Sequence, residues 1–417
     1  LVVEIEYFIA LSKEPKINEV PPLSPIDQNQ LRSFYKNFSL ADAQIIKDIE
    51  STTNHDVKAI EYFIKQKIAD TPLQKYSEFI HFALTSEDIN NIAYSLMWQQ
   101  GVRKIYLPNI IKVYQAILDF AQQNKNQPML SLTHGQSATP TTVGKEFLVF
   151  AARLKRQVDY LEQHQLLGKL AGATGTWSAQ VIAYPEVDWL EFSKKFINYL
   201  GLEPNLITTQ IEPHDSIAES YQAIERINNI LIDFTRDVWL YISRGILGQK
   251  KKAGEVGSST MPHKINPIQF ENAEGNLGLA NAYFSHLCQK LPVSRMQRDL
   301  SDSTVLRNQG VPLAHSLLAN KNILKGLSRL TVNQSKLEQE LDEHWEVLSE
   351  AIQTILRKVG YNQAYEKLKD LTRGQKITQK SIQTFINNLN IPQIEKQKLL
   401  KLTPQTYTGL AEKLVNI

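Results

Sequence analysis

Cysteine is almost absent from this sequence, since only Cys288 among 417 residues carries a thiol. A single thiol excludes an internal disulfide and a cysteine-rich zinc site, because both need paired sulfurs. Such low cysteine usage is typical of a reducing compartment. We therefore expect a cytoplasmic protein.

Long apolar runs and an excess of one charge are also missing. No uninterrupted apolar stretch approaches the ~20 residues of a membrane span, and Leu1–Ala10 lacks the basic start and cleavage site of a signal peptide. The segment reads as if the chain were entered inside a helix, and we expect some N-terminal sequence to precede it. The 46 basic and 43 acidic residues leave a formal charge of +3, which gives no general attraction to nucleic acid or anionic membranes. Any anionic ligand must be bound by a local group of cations.

Helical periodicity runs along nearly the whole chain, whereas alternating strand patterns are scarce. The pattern predicts an all-α fold with a central bundle of five long helices: Val102–Phe120, Val143–Leu161, Ile217–Tyr241, Ile268–Leu287 and Val305–Leu330. Several of these helices are apolar on more than one face, so we expect copies of the chain to associate and cover them. The length predicts two or three domains, and shorter helices beyond about residue 330 indicate a small C-terminal one.

Residues 257–272 combine small residues, a lysine, a histidine and two prolines without apolar periodicity. Asn266 followed by Pro267 predicts a helix N-cap with proline at the first helical position, and Gln269 stands where a capping-box partner belongs. A helix start beside Lys264 favours an anion. From these residues alone, the stretch is either an active-site loop or an ordinary surface loop.

Four histidines stand just before predicted helices: His55, His134, His214 and His263. An imidazole in that position can act as an acid or base near neutral pH, and the alternative is a capping or packing role. No pair of histidines has the spacing of a zinc site, and no cysteine or carboxylate completes one. We therefore predict no metal centre.

Two further loops are rich in polar or small residues. The run Gly168–Gly175 matches neither the Walker spacing nor the dinucleotide fingerprint, although its backbone could contact a substrate. The segment 294–307 places three arginines among hydroxyl side chains, which suits a phosphate or carboxylate. Pairing of these arginines with Asp299 and Asp302 is the alternative.

Together these motifs resemble those of the fumarase/aspartase superfamily. The signature loop Gly257–Pro267 is the strongest match; the others are Thr53–Lys58, His81–Asp88, Thr133–Gln136, Gln210–Asp215, Gln297–Asp299, Ser303–Arg307 and Leu371–Gly374. The form with His263 before the lysine is similar to the adenylosuccinate lyases. The resemblance runs from about residue 30 to the C-terminus and is closest to their longer, bacterial form.

This resemblance implies a three-domain all-α fold, with domains at residues 1–74, 75–327 and 328–417. It also implies a homotetramer whose active sites combine loops of three subunits, with a nucleotide as the small-molecule substrate, no cofactor, no nucleic acid and no membrane. The implied reaction, a step of purine nucleotide biosynthesis, is anti-elimination of fumarate from adenylosuccinate, giving AMP. The succinylaminoimidazole-carboxamide ribotide is cleaved in the same way, giving the carboxamide ribotide. The alternatives are a sister lyase, such as an argininosuccinate lyase, and a structural helical tetramer with a spent site.

Residue roles are carried over by motif position. Ser258 resembles the base that removes the proton, and His134 resembles the acid that protonates the departing nitrogen; a histidine remains an alternative for the base. His81 and His263 are expected to support them. The resemblance assigns these residues to substrate binding: Asn54, His55, Asp56, Thr85, Ser86, Gln210, Ser259, Lys264, Ile265, Asn266, Asn272, Arg298, Ser303, Thr304, Val305, Leu306 and Arg307.

Within this set, Lys264 and Asn266 are expected to hold the succinyl carboxylate, and Arg298, Ser303 and Arg307 the phosphate. An Arg-Tyr pair that contacts the phosphate in the family is expected in sequence that precedes Leu1.

Overall fold

The computed structural model describes residues 1–250, 261, 264–363, 366 and 377–417. The expected site residues Ser258, Ser259 and His263 lie outside this described part, as does the Leu371–Gly374 motif. The chain divides into two compact units. Unit 1 comprises Leu1–Leu107, Tyr160–Glu225 and Asn281–Leu313, and unit 2 comprises Pro108–Asp159, Arg226–Ala280 and Ala314–Ile417. The division into three domains stays a prediction.

Helices make up most of the described residues. Up to residue 243 they are α1 (Val2–Leu11), α2 (Pro25–Lys36), α3 (Leu40–Thr53), α4 (Asp56–Ile68), α5 (Ser86–Gln100), α6 (Leu107–Gln123), α7 (Val143–Gln163), α8 (Ser178–Ala183), α9 (Trp189–Tyr199) and α10 (Asp215–Ser243). The later ones are α11 (Ile268–Lys290), α12 (Ser301–Leu306), α13 (Gly310–Leu327), α14 (Gln334–Asp342), α15 (Ser349–Lys358), α16 (Gln379–Asn387), α17 (Gln393–Leu400) and α18 (Ala411–Leu414). Pro72–Phe79 and Trp345–Leu348 are 3-10 helices, and Gly101–Tyr106 is a π-helical turn. No helix in the described ranges is both long and apolar enough to cross a membrane.

Three of the predicted long helices are confirmed as α7, α10 and α11, with ends that lie at most three residues from the predicted ones. The first predicted helix begins later, at Leu107, after the π-helical turn. The fifth was wrong at its start, because a turn at Arg307–Gln309 separates α12 from α13. Proline lacks an amide donor and suits the first turn of a helix, so Pro312 fits the start of α13 and not the interior of a longer helix.

The start of α11 differs from the prediction by one residue. The carbonyl of Pro267 accepts from the amide of Glu271 (3.2 Å), which makes Pro267 the cap and Ile268 the first helical residue. The expected capping box is absent, because the Oε1 atom of Gln269 is buried without a hydrogen-bond partner among the described residues. Proline therefore fixes the entry into α11 through its own backbone.

Within the described residues, six short strands accompany the helices: β1 (Pro128–Thr133), β2 (Gln136–Thr142), β3 (Leu167–Gly168), β4 (Glu203–Pro204), β5 (Leu247–Gln249) and β6 (Leu330–Val332). β1 and β2 form an antiparallel hairpin, β3 and β4 pair in parallel, and β5 and β6 pair antiparallel. These sheets have two strands each. They fasten loops to the helices and do not change the all-α class.

Each unit has its own apolar core. In unit 1, Ile5, Phe8 and Ile9 of α1 pack with residues of α2 and α4. In unit 2, an aromatic series joins Phe147, Phe234 and Phe270 of three different helices through edge-to-face contacts. These cores hold the helix ends from which the expected binding residues project.

Candidate active site

The starts of α4 and α5 bring expected binding residues together in unit 1. Asn54 has the left-handed backbone conformation (φ 51°) that ends α3, and His55 caps α4 by accepting a hydrogen bond at Nδ1 from the amide of Lys58 (3.1 Å). The other ring nitrogen of His55 lies 3.4 Å from Oγ of Ser86. Asn54, His55 and Asp56 are exposed. One hydrogen bond thus both begins α4 and orients an exposed imidazole towards Ser86.

Helix α5 begins above a buried salt bridge. The amide of Thr85 donates to Oδ2 of Asp88 (2.9 Å), which closes a capping box. The other oxygen of Asp88 accepts from the amide of Ala171 (2.9 Å) and lies 2.8 Å from Nζ of Lys169; both charged side chains are fully buried. Burial lowers the pKa of Lys169, although the charge of Asp88 opposes the shift. The glycine-rich run therefore donates backbone hydrogen bonds to Asp88, a carboxylate of the chain itself. Because Asp88 also accepts from the amide of Thr85, these bonds fix the position of Thr85.

His81, expected in a supporting role, is held by a buried carboxylate. Its Nδ1 lies 2.6 Å from Oε1 of Glu4, and its backbone is left-handed (φ 61°). Burial alone would lower the pKa of His81, but the hydrogen bond and charge of Glu4 outweigh burial and raise that pKa. The contact with Glu4 therefore anchors the loop that leads into α5.

Arg298 and Gln210, both expected in the site, meet in unit 1. Nη1 of Arg298 donates to Oε1 of Gln210 (3.4 Å), and Nη2 lies 3.0 Å from Oε2 of Glu87. Nε2 of Gln210 donates to the carbonyl of Ala173 (3.1 Å), which connects the Arg298–Gln210 pair to the glycine-rich run. The alternative pairing with Asp299 is found for the neighbouring Arg295 (3.3 Å), which is exposed.

The expected phosphate-binding residues Ser303 to Arg307 form most of α12 and its end. Thr304 and Arg307 are exposed, and Ser303 and Val305 are partly exposed. Leu306 is 2% exposed, so its side chain cannot reach a ligand, and only its backbone could serve the expected role. The positive charge of Arg307 acts on the phenol of Tyr94 on α5 and partly offsets the rise that burial causes in the pKa of Tyr94. Tyr94 is therefore a further polar group close to Arg307, and no sequence motif pointed to it.

A buried ionic cluster lies beneath these residues. Glu87, His214 and Asp302 are all buried, and their nearest nitrogen and oxygen atoms lie within 4.8 Å of one another. Three such groups could in principle hold a metal ion, which the prediction of no metal centre overlooked because they are far apart in sequence. The guanidinium of Arg298 already lies against the carboxylate of Glu87. We therefore describe the group as an ionic cluster of the chain.

His134 belongs to unit 2 and stands at the tip of the β1–β2 hairpin. The sequence predicted a helix directly after His134, but the structure has a hairpin there. His134 (φ 53°) and Gly135 (φ 73°) are the two residues of a tight turn with left-handed backbone. The imidazole is exposed and has no hydrogen-bond partner among the described residues. It is presented at the end of a paired ribbon.

The remaining expected residues of unit 2 lie around the start of α11. Lys264 is exposed, and its amide donates to the carbonyl of Met261 (3.0 Å). Ile265 and Asn266 are partly exposed, and the carbonyl of Ile265 accepts from Nε2 of Gln249 (3.3 Å). Oδ1 of Asn272 on α11 accepts from Nδ2 of Asn322 on α13 (2.8 Å).

Comparisons with known proteins identify the family of this chain. The lyase family model matches residues 4–280, and the adenylosuccinate lyase C-terminal model matches residues 294–408. An adenylosuccinate lyase of Haemophilus influenzae is 52% identical over 416 residues, which covers 100% of this chain and 91% of the relative. That of Escherichia coli (strain K12) is 51% identical over 415 residues, covering 99% and 91%.

Among solved structures, a fumarate lyase from Mesorhizobium sp. BNC1 has a TM-score of 0.78 at 16% identity and covers 100% of this chain and 93% of its own. At this identity the likeness concerns the fold alone, and it confirms the predicted all-α class. The full-length identities confirm the resemblance that the motifs carry. The chain therefore belongs to the adenylosuccinate lyase family.

Proposed function

We propose that this chain eliminates fumarate from adenylosuccinate, giving AMP, and from the succinylaminoimidazole-carboxamide ribotide, giving the carboxamide ribotide. The observation that carries this proposal is the 52% identity over 416 residues to an adenylosuccinate lyase. The match of residues 294–408 to the adenylosuccinate lyase C-terminal model favours these substrates over argininosuccinate. The reaction is a step of purine nucleotide biosynthesis, which we place in the cytoplasm.

The chemistry needs two kinds of assistance. Removing a proton next to a carboxylate requires a base and cations or N–H donors that hold the resulting negative charge, and one such donor is worth about 3 kcal/mol. Expelling nitrogen requires an acid, and a well-placed acid contributes about a hundredfold to ten-thousandfold in rate. No step needs electrons from a cofactor, so we propose none.

Unit 1 supplies the anion-binding part of the site. Arg298 contacts Gln210 and shortly precedes α12 in the chain. Arg307 caps the end of α12 and is exposed. A guanidinium with several N–H groups suits the phosphate of a nucleotide. Ser86, 3.4 Å from His55, is suited to hydrogen bonding with the succinyl part of the substrate.

Unit 2 supplies the reactive groups. In this proposal His134 protonates the departing nitrogen, and Ser258 removes the proton once neighbouring amides, Lys264 and the start of α11 stabilise its alkoxide. Lys264 and Asn266 hold the succinyl carboxylate. An exposed imidazole at the tip of a hairpin is well placed to enter a site built with another subunit.

A homotetramer would join these parts, with each site drawing loops from three subunits. Its support is a set of large apolar side chains that unit 2 leaves exposed on long helices: Trp239, Leu240, Ile268, Leu279 and Leu318. Apolar side chains of this kind on several helices are typical of surfaces that another subunit covers.

The test is ultraviolet-monitored cleavage of adenylosuccinate beside argininosuccinate, with fumarate quantified in both. We expect rapid release of fumarate and AMP from adenylosuccinate and no release from argininosuccinate. Turnover of argininosuccinate alone would replace this proposal with the sister reaction. Turnover of neither would support a structural tetramer with a spent site.

A further inference from the structure

Arg298 has an incomplete set of partners inside unit 1. One terminal nitrogen faces Glu87 at 3.0 Å, and the other donates to Gln210 at 3.4 Å. The third nitrogen, Nε, is buried without a hydrogen-bond partner among the described residues. A guanidinium held by two side chains but left with unused donors is ready to bind a further acceptor.

A second layer lies behind this pair. Oδ2 of Asp302 lies 3.6 Å from Nε2 of His214, which is too long for a hydrogen bond, and this buried ring nitrogen has no partner among the described residues. Oδ1 of Asp302 accepts from the amide of Ser303 (2.6 Å), so the same carboxylate anchors the first turn of α12. The cluster therefore connects Arg298 to the segment expected to bind phosphate.

Glu87 is the group whose charge balances this cluster. Four groups from different segments face the carboxylate of Glu87: Arg298, Asp302, His214 and Lys169. Tyr94 lies on α5, the same helix as Glu87. Burial raises the pKa of Glu87 to about 7, although the cations Arg298 and Lys169 oppose the shift. At neutral pH a substantial fraction of Glu87 is therefore protonated.

We propose that Glu87, backed by Asp302 and His214, is a positioning residue that controls how strongly Arg298 attracts the phosphate of the substrate. This inference rests on the proposed function in one respect, which is the assignment of phosphate binding to Arg298. An ionised Glu87 neutralises the guanidinium and competes with phosphate for it. A protonated Glu87 leaves the positive charge of Arg298 to the ligand.

A pH dependence with a definite sign follows. As pH rises through the pKa of Glu87, the attraction between Arg298 and phosphate weakens, and KM increases. The reverse also holds by linkage, because a bound phosphate disfavours the ionised carboxylate, so ligand binding takes up protons at Glu87. The rate of the chemical step should be little affected, since Glu87 acts through Arg298.

The experiment compares the wild-type chain with Glu87→Gln, which mimics the protonated carboxyl group. KM and kcat for adenylosuccinate, and the Kd of AMP by calorimetry, are measured from pH 6 to 8.5. We expect the two proteins to agree at pH 6 and the ratio of wild-type to variant KM to rise about fivefold by pH 8.5, the lower end of typical site coupling. The ratio removes the titration of the ligand phosphate, which both proteins share.

Two further variants make the result decisive. Asp237→Asn removes another carboxyl group with a pKa near neutral, about 6, which faces Asp233, Glu146 and Arg153; we expect it to retain the wild-type pH dependence. Arg298→Ala should raise KM at every pH and remove the difference that Glu87→Gln makes. Circular dichroism checks that each variant is folded.

The outcomes separate this inference from the proposed function. Absence of turnover by the wild type would contradict the proposed function, yet a Kd of AMP with the expected dependence on Glu87 would still support the inference. Normal turnover with a pH-independent ratio of wild-type to Glu87→Gln KM would overturn the inference, because a space-filling role gives no titration. An unchanged KM and AMP affinity in Arg298→Ala would overturn it as well.

Discussion

Two adjacent carboxylates at the start of α5, Glu87 and Asp88, differ in the number of hydrogen-bond donors and cations around them. Asp88 has a lysine at 2.8 Å and three backbone amides as donors. Glu87 has one guanidinium at 3.0 Å, and burial still raises its pKa to about 7. Adjacent residues on a helix point to different faces. Here Asp88 supports the start of α5, whereas Glu87 faces Arg298.

Glu87 also makes stability depend on pH. Because its folded-state pKa lies above its ordinary value, the stability it contributes is fully present below about pH 4.5, and it decreases as pH rises to about 7. We expect the free energy of unfolding of Glu87→Gln to rise relative to wild type between pH 4.5 and 7.5. Urea unfolding followed by circular dichroism at several pH values measures the difference. A constant difference would contradict this electrostatic description of Glu87.

The Lys169–Asp88 pair predicts a large stability effect. Replacing one partner of a buried pair leaves the other charge unpaired, so Lys169→Met should destabilise the fold by about 3–5 kcal/mol. Lys47→Met, which removes an exposed pair with Glu50, is the matched control and should cost less than about 1 kcal/mol. Equal urea midpoints for the two variants would show that the buried pair contributes no more than a surface pair.

At the scale of elements, helices were predictable where apolar periodicity is long, as in α7, α10 and α11. The break before α13 could have been found from Pro312. The hairpin that carries His134 was missed because its strands are short and its turn is His-Gly, a weaker signal than Asn-Gly. Motif position selected His134 all the same, but its placement on a hairpin tip came only from the structure.

The hairpin turn itself can be tested. Gly135 has φ 73°, and a Cβ there would meet no atom within 4 Å, so Gly135→Ala introduces backbone strain without a clash. We expect a loss of about 1–2 kcal/mol in stability and a lower kcat, because the strained turn moves His134. Gly310→Ala, at the start of α13 with equally open space, is the control and should be close to neutral. A Gly135→Ala variant with wild-type stability and kcat would argue against this turn geometry.

At the scale of the whole molecule, the sequence was sufficient for the family, because contiguous motifs carry it. The site residues that the same motifs select stay a prediction. The sequence was not sufficient for the ionic cluster. Glu87, Lys169, His214 and Asp302 are far apart in the chain, and an acidic residue near a helix start usually faces solvent. Only the folded arrangement shows that Glu87, His214 and Asp302 are buried together and that Glu87 pairs with Arg298.

Association of subunits gives a further prediction. Leu279 on α11 is 54% exposed in the single chain and belongs to the apolar set that we assign to the tetramer. Leu279→Glu would bury a charge in that interface, so we expect smaller assemblies in analytical ultracentrifugation and a loss of activity. Ile394→Glu on α17, at a residue that is 76% exposed, should leave the assembly intact. A wild-type tetramer that persists in Leu279→Glu would exclude Leu279 from the interface.

Elimination by this chain is tested most directly by product analysis of adenylosuccinate with the wild type and with Ser258→Ala. The wild type should release AMP and fumarate in equal amounts, and the variant should lose at least about a hundredfold in kcat while still binding AMP. Wild-type protein that leaves adenylosuccinate intact, or Ser258→Ala with near-normal turnover, would contradict the proposed reaction or its base, respectively.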